Sequence, residues 1–176
     1  WINDGNGTFT DSGQSLGSSK STDISLGDVD DDGDLDAFVA NESNQANKVW
    51  INDGSGNFTD SGQSLGSSKS LGVELGDVDN DGDLDAFAAN YEEGNKGWIN
   101  DGTGTFTDSG QSLGASKSYA VELGDVDDDG DLDAFIANNG QNKVWINEGN
   151  GSFTDSEQIL GSSNSRGVTI GDVDGD

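Results

Sequence analysis

The sequence predicts an all-β chain of tandem four-stranded antiparallel blades of β-propeller type, about 3.6 repeats long, forming a partial propeller or an open repeat array. Three observations predict it. Trp1, Trp50, Trp98 and Trp145 each open a Trp-Ile-Asn segment, so the 176 residues repeat with periods of 49, 48 and 47. Apolar residues within a repeat alternate with period two, and Asp-Gly and Gly-rich turns punctuate them at short intervals.

The first strand of a blade is read from Ile24 and Leu26, and from the pairs Val73/Leu75 and Val121/Leu123, each running into an acidic loop. After the loop, Leu35, Ala37 and Val39 fall on one face and Phe38 and Ala40 on the other, which is a second strand. Trp-Ile-Asn supplies a third and Phe-Thr-Asp a fourth, joined through turns such as Asp53-Gly54-Ser55-Gly56 that suit positive φ. Length varies in one place. Asn41 to Val49 is nine residues, Asn90 to Gly97 eight and Asn138 to Val144 seven, as expected of an exposed hairpin tip.

Counted from Trp to Trp, the units are 1–49, 50–97, 98–144 and an incomplete 145–176, together one tandem array over 1–176. A blade cannot bury both faces alone, so neighbours must stack. The first residues correspond to a third strand and the last to an acidic loop. These ends lead us to expect self-association with further repeats or with other copies of the chain.

Composition narrows function. The net charge is -28, from 35 acidic and 7 basic residues, and Cys, His, Met and Pro are absent. Nucleic acid and anionic membrane surfaces both demand a basic face, so neither is an expected partner. There is no 18-residue apolar run, so membrane insertion is not expected. Without Cys or His, disulfides, thiolate or imidazole metal sites and the commonest general base are excluded. Carboxylate chemistry remains.

Three complete copies of Asp-x-Asp-x-Asp-Gly-x-x-Asp carry it: Asp28, Asp30, Asp32 and Asp36 around Gly33; Asp77, Asp79, Asp81 and Asp85 around Gly82; Asp125, Asp127, Asp129 and Asp133 around Gly130. A fourth begins with Asp172, Asp174 and Asp176. Carboxylates at positions 1, 3 and 5 converge when the backbone curls around a cation, and Gly at position 6 permits the turn. Position 7, here Asp34, Asp83 and Asp131, completes the candidate set through its backbone carbonyl, and the carboxylate at position 9 closes the shell. Hard oxygen donors without nitrogen or sulfur select Ca2+. The loops hold 20 of the 35 acidic residues, a density that is strongly repulsive without counter-charge; three calcium ions would bring -28 to -22.

Helix-flanked calcium loops need a Glu at position 12 and amphipathic helices, which are missing here. Instead, Gly-Asp-Val-Asp-x-Asp-Gly-Asp-Leu-Asp-Ala-Phe-x-Ala-Asn followed by Trp-Ile-Asn-Asp-Gly-x-Gly-x-Phe resembles the FG-GAP/VCBS repeat of integrin-alpha-type β-propellers, over the whole chain. The resemblance implies a calcium loop joining the first two strands of each blade, and rings of seven or eight blades in full-length members. The Phe-Gly and Gly-Ala-Pro signatures are replaced by Ala-Phe-x-Ala-Asn, which is closer to the VCBS branch.

The remaining features have plainer readings. Trp50 and Phe87 are expected to fill space between blades, Tyr91 and Tyr119 are isolated in the sequence, and Lys48, Lys96 and Lys143 are surface charges. The near-identical units argue against a single active site, so catalysis is not expected. The leading expectation is a calcium-stabilised extracellular or cell-surface scaffold for adhesion or filament assembly, with a glycan or protein as possible ligand. A lectin-like propeller is the alternative.

Overall fold

The computed structural model describes residues 1–174, and all regular structure in them is strand. β1 (Ile2–Asn3) and β2 (Phe9–Thr10) form a short ribbon. Three four-stranded antiparallel sheets follow. The first contains β3 (Ser21–Gly27), β4 (Asp36–Asn41), β5 (Lys48–Asn52) and β6 (Phe58–Asp60). The second contains β7 (Ser70–Gly76), β8 (Asp85–Asn90), β9 (Lys96–Asn100) and β10 (Phe106–Asp108), and the third β11 (Ser118–Gly124), β12 (Asp133–Asn138), β13 (Lys143–Asn147) and β14 (Phe153–Asp155). Each sheet is a meander with sequence neighbours side by side, and it straddles the Trp-to-Trp period. Among the described residues no closed barrel forms, and the sheets stand as an open array.

The variable hairpin tip closes the same way at each length. Asn41 donates its backbone N–H to Asn47 Oδ1 (3.0 Å) and its side-chain amide to Ala46 O (2.7 Å), with Asn90/Asn95 and Asn138/Asn142 repeating the clamp. These Asn side chains are held inside the fold, so the tip can gain or lose residues without disturbing the ladder.

The core lies between sheets. Phe38, Val49, Val73, Ala86, Ala88 and Phe106 make one layer; Phe87, Ala89, Val121, Ala134, Ile136 and Phe153 make the next. β8 therefore sends Ala86 and Ala88 to one side and Phe87 and Ala89 to the other, which explains an apolar run buried on both faces. Phe38 meets Phe106 edge-on at 5.3 Å, and Phe87 meets Phe153 at 5.2 Å. The sheets approach closely because small residues line the contact: a Cβ on Gly72 would fall 2.9 Å from Ala120 Cα. On the first sheet, Ile24, Leu26 and Leu35 face outward and are exposed, whereas their counterparts Val73, Leu75 and Leu84 pack against the first sheet.

Polar pins join successive sheets. Gln63 donates Nε2 to Gly104 O (2.7 Å) and accepts from Phe106 N–H at Oε1 (2.8 Å); Gln14 does the same with Gly56 and Phe58. Val73 N–H and Leu75 N–H donate across the first-strand interface to Asp23 Oδ2 and Ser25 Oγ. The run 168–170, which the repeat aligns with the first strands of the other units, forms no ladder, although Ile170 packs over Gly124. In the other units that strand pairs with the run after the acidic loop, which has no counterpart within the 176 residues.

Truncating the inter-sheet wedge should be far more costly than truncating an exposed equivalent. Phe87→Ala is expected to lose about 3–5 kcal/mol in urea denaturation, and Phe9→Ala, at a position 60% exposed, less than about 1 kcal/mol. Equal losses would contradict the assignment of the core.

Candidate metal centres

Each acidic loop follows the end of a first strand and curls by the same two devices. Position 4 takes a left-handed conformation at Asp31, Asn80 and Asp128 (φ 60°, 62° and 61°), which short polar side chains tolerate. Position 6 does so at Gly33, Gly82 and Gly130 (φ 92°, 99° and 97°), where a side chain would be strained. The curl lets the position 6 N–H donate to the first carboxylate: Gly33 to Asp28 Oδ2 (2.9 Å), Gly82 to Asp77 Oδ2 (3.1 Å), Gly130 to Asp125 Oδ2 (3.1 Å). The position 7 N–H of Asp34, Asp83 and Asp131 donates to Oδ1 of Asp32, Asp81 and Asp129.

Position 9 anchors the far side. Asp36, Asp85 and Asp133 are fully buried. One oxygen of each accepts from the loop's own backbone, Val29, Val78 or Val126 N–H (2.9 to 3.0 Å), and the other from the third strand, Asn52, Asn100 or Asn147 N–H (2.8 Å each). Each thus ties loop, second strand and third strand together.

The loop geometry gathers Asp28, Asp30 and Asp32; Asp77, Asp79 and Asp85; and Asp125, Asp127 and Asp133, each triad offering oxygens within 4.8 Å of one another. Positions 1 and 3 enter every triad; the third member is position 5 in the first loop and position 9 in the others. The side chains of Asp34, Asp83 and Asp131 turn elsewhere, lying against Gly54, Gly102 and Gly149 of the neighbouring turns, where any Cβ would collide with them. In the fourth loop Asp174 N–H donates to Asp172 Oδ1 (3.1 Å), and Asp176 lies outside the described residues.

The electrostatics are those of crowded carboxylates. Burial, reinforced by the neighbouring aspartates, raises Asp30, Asp79 and Asp127 above the ordinary carboxylate value. Asp85 is pushed up to about 6 by burial, against the lowering effect of its two backbone hydrogen bonds. Asp30 Oδ1, Asp77 Oδ1 and Asp79 Oδ1 are buried with no hydrogen-bond donor. Oxygens in that condition, clustered and donor-free, fit a hard divalent cation, which would supply the missing positive charge.

The loops are also coupled to the next sheet. Asn100 Nδ2 donates to Val29 O (2.8 Å) and Asn147 Nδ2 to Val78 O (2.7 Å), each reaching a preceding loop; Gly151 N–H adds a second bond to Val78 O (2.8 Å). The Asn of Trp-Ile-Asn and the Gln of the Ser-rich stretch went unread as inter-sheet pins, although their recurrence in every unit is a sequence signal. The tryptophans serve packing: Trp50, Trp98 and Trp145 lie over Gly17, Gly66 and Gly114, and Trp98 is buried.

The FG-GAP-like repeat matches the chain at residues 28–88, 77–136 and 125–176. The chain belongs to that family. Each match opens on the first aspartate of an acidic loop and, in the two internal cases, ends within the following second strand. A search of curated proteins finds no match. FG-GAP-like repeats are generally non-catalytic and typically occur in extracellular or surface proteins.

The raised carboxylates fix the sign of a pH effect. With metal chelated, folded Asp85 binds a proton more tightly than the unfolded chain, so its stabilising contribution is present below about pH 4 and is lost as pH rises through about 6. The thermal midpoint in EDTA should therefore fall over that interval, and in saturating calcium it should rise, because the ion binds only the ionised form. A midpoint that rises in EDTA would contradict this electrostatic description.

Proposed function

We propose that this chain is a calcium-stapled extracellular repeat scaffold, serving adhesion or the assembly of a surface layer or filament and performing no catalysis. The observation carrying this reading is the set of buried, donor-free carboxylate oxygens at Asp30, Asp77 and Asp79 inside triads whose loops are hydrogen-bonded to the following sheet. The aspartates at positions 1, 3, 5 and 9 would hold the ion, with the backbone at position 7. Calcium would neutralise the loop and lock first strand to second, a role disulfides cannot fill in a Cys-free chain. Extracellular calcium modules bind at about 0.1–1 mM, so folding would be favoured outside the cell.

A structural role is favoured over a catalytic one by repetition. An acidic triad built on positions 1 and 3 recurs in three loops, and near-identical units argue against a single active site. Stacking beyond the three sheets is supported by the outward apolar face of the first sheet at Ile24, Leu26 and Leu35, which further repeats or a second copy would cover.

Sedimentation velocity in millimolar calcium and in EGTA tests the proposal. A compact or assembled species in calcium that expands or dissociates in EGTA is expected, and indistinguishable profiles would contradict it. Asp79→Asn removes one anionic ligand and should weaken calcium binding at the second loop by roughly tenfold, read by calorimetry, with little change at the other two.

A further inference from the structure

The seven cations divide into two groups. Lys48, Lys96 and Lys143 occupy equivalent places on third strands and pair with Asp60, Asp108 and Asp155 of the fourth strands at 3.3, 2.9 and 2.7 Å. Lys20, Lys69, Lys117 and Arg166 instead precede first strands or the equivalent run, at the end opposite the acidic loops. A seven-residue strand separates the two ends by about 20 Å. That exceeds the Debye length of about 8 Å at physiological salt, so the loops' negative charge is screened from these cations.

At this end lies an open cleft of about 460 Å³, lined by Thr22, Glu42, Lys69, Tyr91, Tyr119 and Arg166, with Leu71 its one aliphatic wall. Its volume is in the range of small-molecule sites, about 300–1,000 Å³. The two tyrosines, the only ones in the chain, break the repeat at non-equivalent positions, Tyr91 after β8 and Tyr119 in β11. They nevertheless meet edge-on at 5.6 Å. Lys69 Nζ sits 3.9 Å from the centre of the Tyr91 ring, and the Arg166 guanidinium 3.9 Å from that of Tyr119.

Among the described residues, neither Lys69 nor Arg166 pairs with a carboxylate, in a chain holding 35 of them. Lys20 and Lys117 are paired, with Glu42 (3.7 Å) and Glu92 (3.0 Å). The segment carrying Arg166 is fixed by Ser165 N–H donating to Asn138 O (2.9 Å), and Tyr91 by its N–H donating to Lys69 O (2.9 Å). Stacked on a ring, the guanidinium keeps its planar fork of donors free for a carboxylate. The Thr22 hydroxyl donates to Ser70 O (2.8 Å) and belongs to the wall, while the tyrosine hydroxyls and the Glu42 carboxylate suit a ligand rich in hydroxyl groups, and the scarcity of aliphatic wall disfavours an apolar one.

We propose that this cleft binds a hydroxylated monocarboxylate of the acidic-sugar class, with Arg166 and Lys69 holding the carboxylate and the tyrosine hydroxyls and the Glu42 carboxylate facing the sugar hydroxyls. The site is separate from the acidic loops and uses none of their residues.

The test is a titration of the full chain in saturating calcium with sodium glucuronate, followed through the ring signals of the two tyrosines by NMR and through heat by calorimetry. Saturable millimolar binding is expected, with glucose and acetate each roughly tenfold weaker because each lacks half of the recognised chemistry. Arg166→Gln and Lys69→Gln should each weaken glucuronate by roughly tenfold or more, and Lys48→Gln, on the ion-paired side, should leave it unchanged. Circular dichroism matching the parent chain secures the variants' fold, and the parent titration decides independently if one fails to fold. Absence of saturation, equal response to glucose or acetate, or unchanged affinity in both cleft variants would overturn the proposal.

Discussion

Carboxylates held within 4.8 Å of one another repel, and the architecture depends on how that repulsion is met. Each loop sits where a first strand turns into a second, so any spreading of the loop pulls directly on the sheet. Backbone N–H groups meet part of the demand, two at every position 9 carboxylate, two at Asp28 and one each at Asp77 and Asp125. What they leave unmet is concentrated at positions 1 and 3, where buried oxygens have no donor. Proton uptake, favoured by the raised aspartates, or a divalent cation held by the all-oxygen triads would supply the rest.

The same loops reach beyond their own sheet. Val29 and Val78 present carbonyls to asparagines of the next sheet, so each of these loops is tied to the sheet that follows it. The apolar layers between sheets include alanines at Ala86, Ala88, Ala89 and Ala134, and Gly72 and Gly76 allow close approach. Side-chain amides of Gln14, Gln63 and Gln111 add polar registration, each accepting from the first backbone N–H of the following fourth strand. Stability and geometry are local, passed from sheet to sheet as in other stacked repeats.

Much of this was legible in the sequence. The period of the tryptophans, the alternation around Leu35 to Ala40 and the Asp-Gly turns placed four strands per unit, and the Asp spacing placed the loops. Three things were not legible. The alternation shows which residues share a face but not which sheet covers it, so Ala86 and Phe87 could not be assigned to different layers. The spacing of an acidic loop also does not say which carboxylates converge; the side chains of Asp34, Asp83 and Asp131 lie over neighbouring turns, and the third member of the triad differs between loops. Tyr91 and Tyr119 read as isolated because 27 residues separate them, and only the side-by-side packing of consecutive sheets brings their rings together.

The central claim is that the acidic loops are metal sites on which the folded array depends. Calorimetric titration of the chelated chain with calcium tests it most directly. The account predicts one ion for each of the three triads, binding at about 0.1–1 mM with a gain in thermal stability. A chain that is fully folded in chelator and takes up no calcium at those concentrations would contradict it.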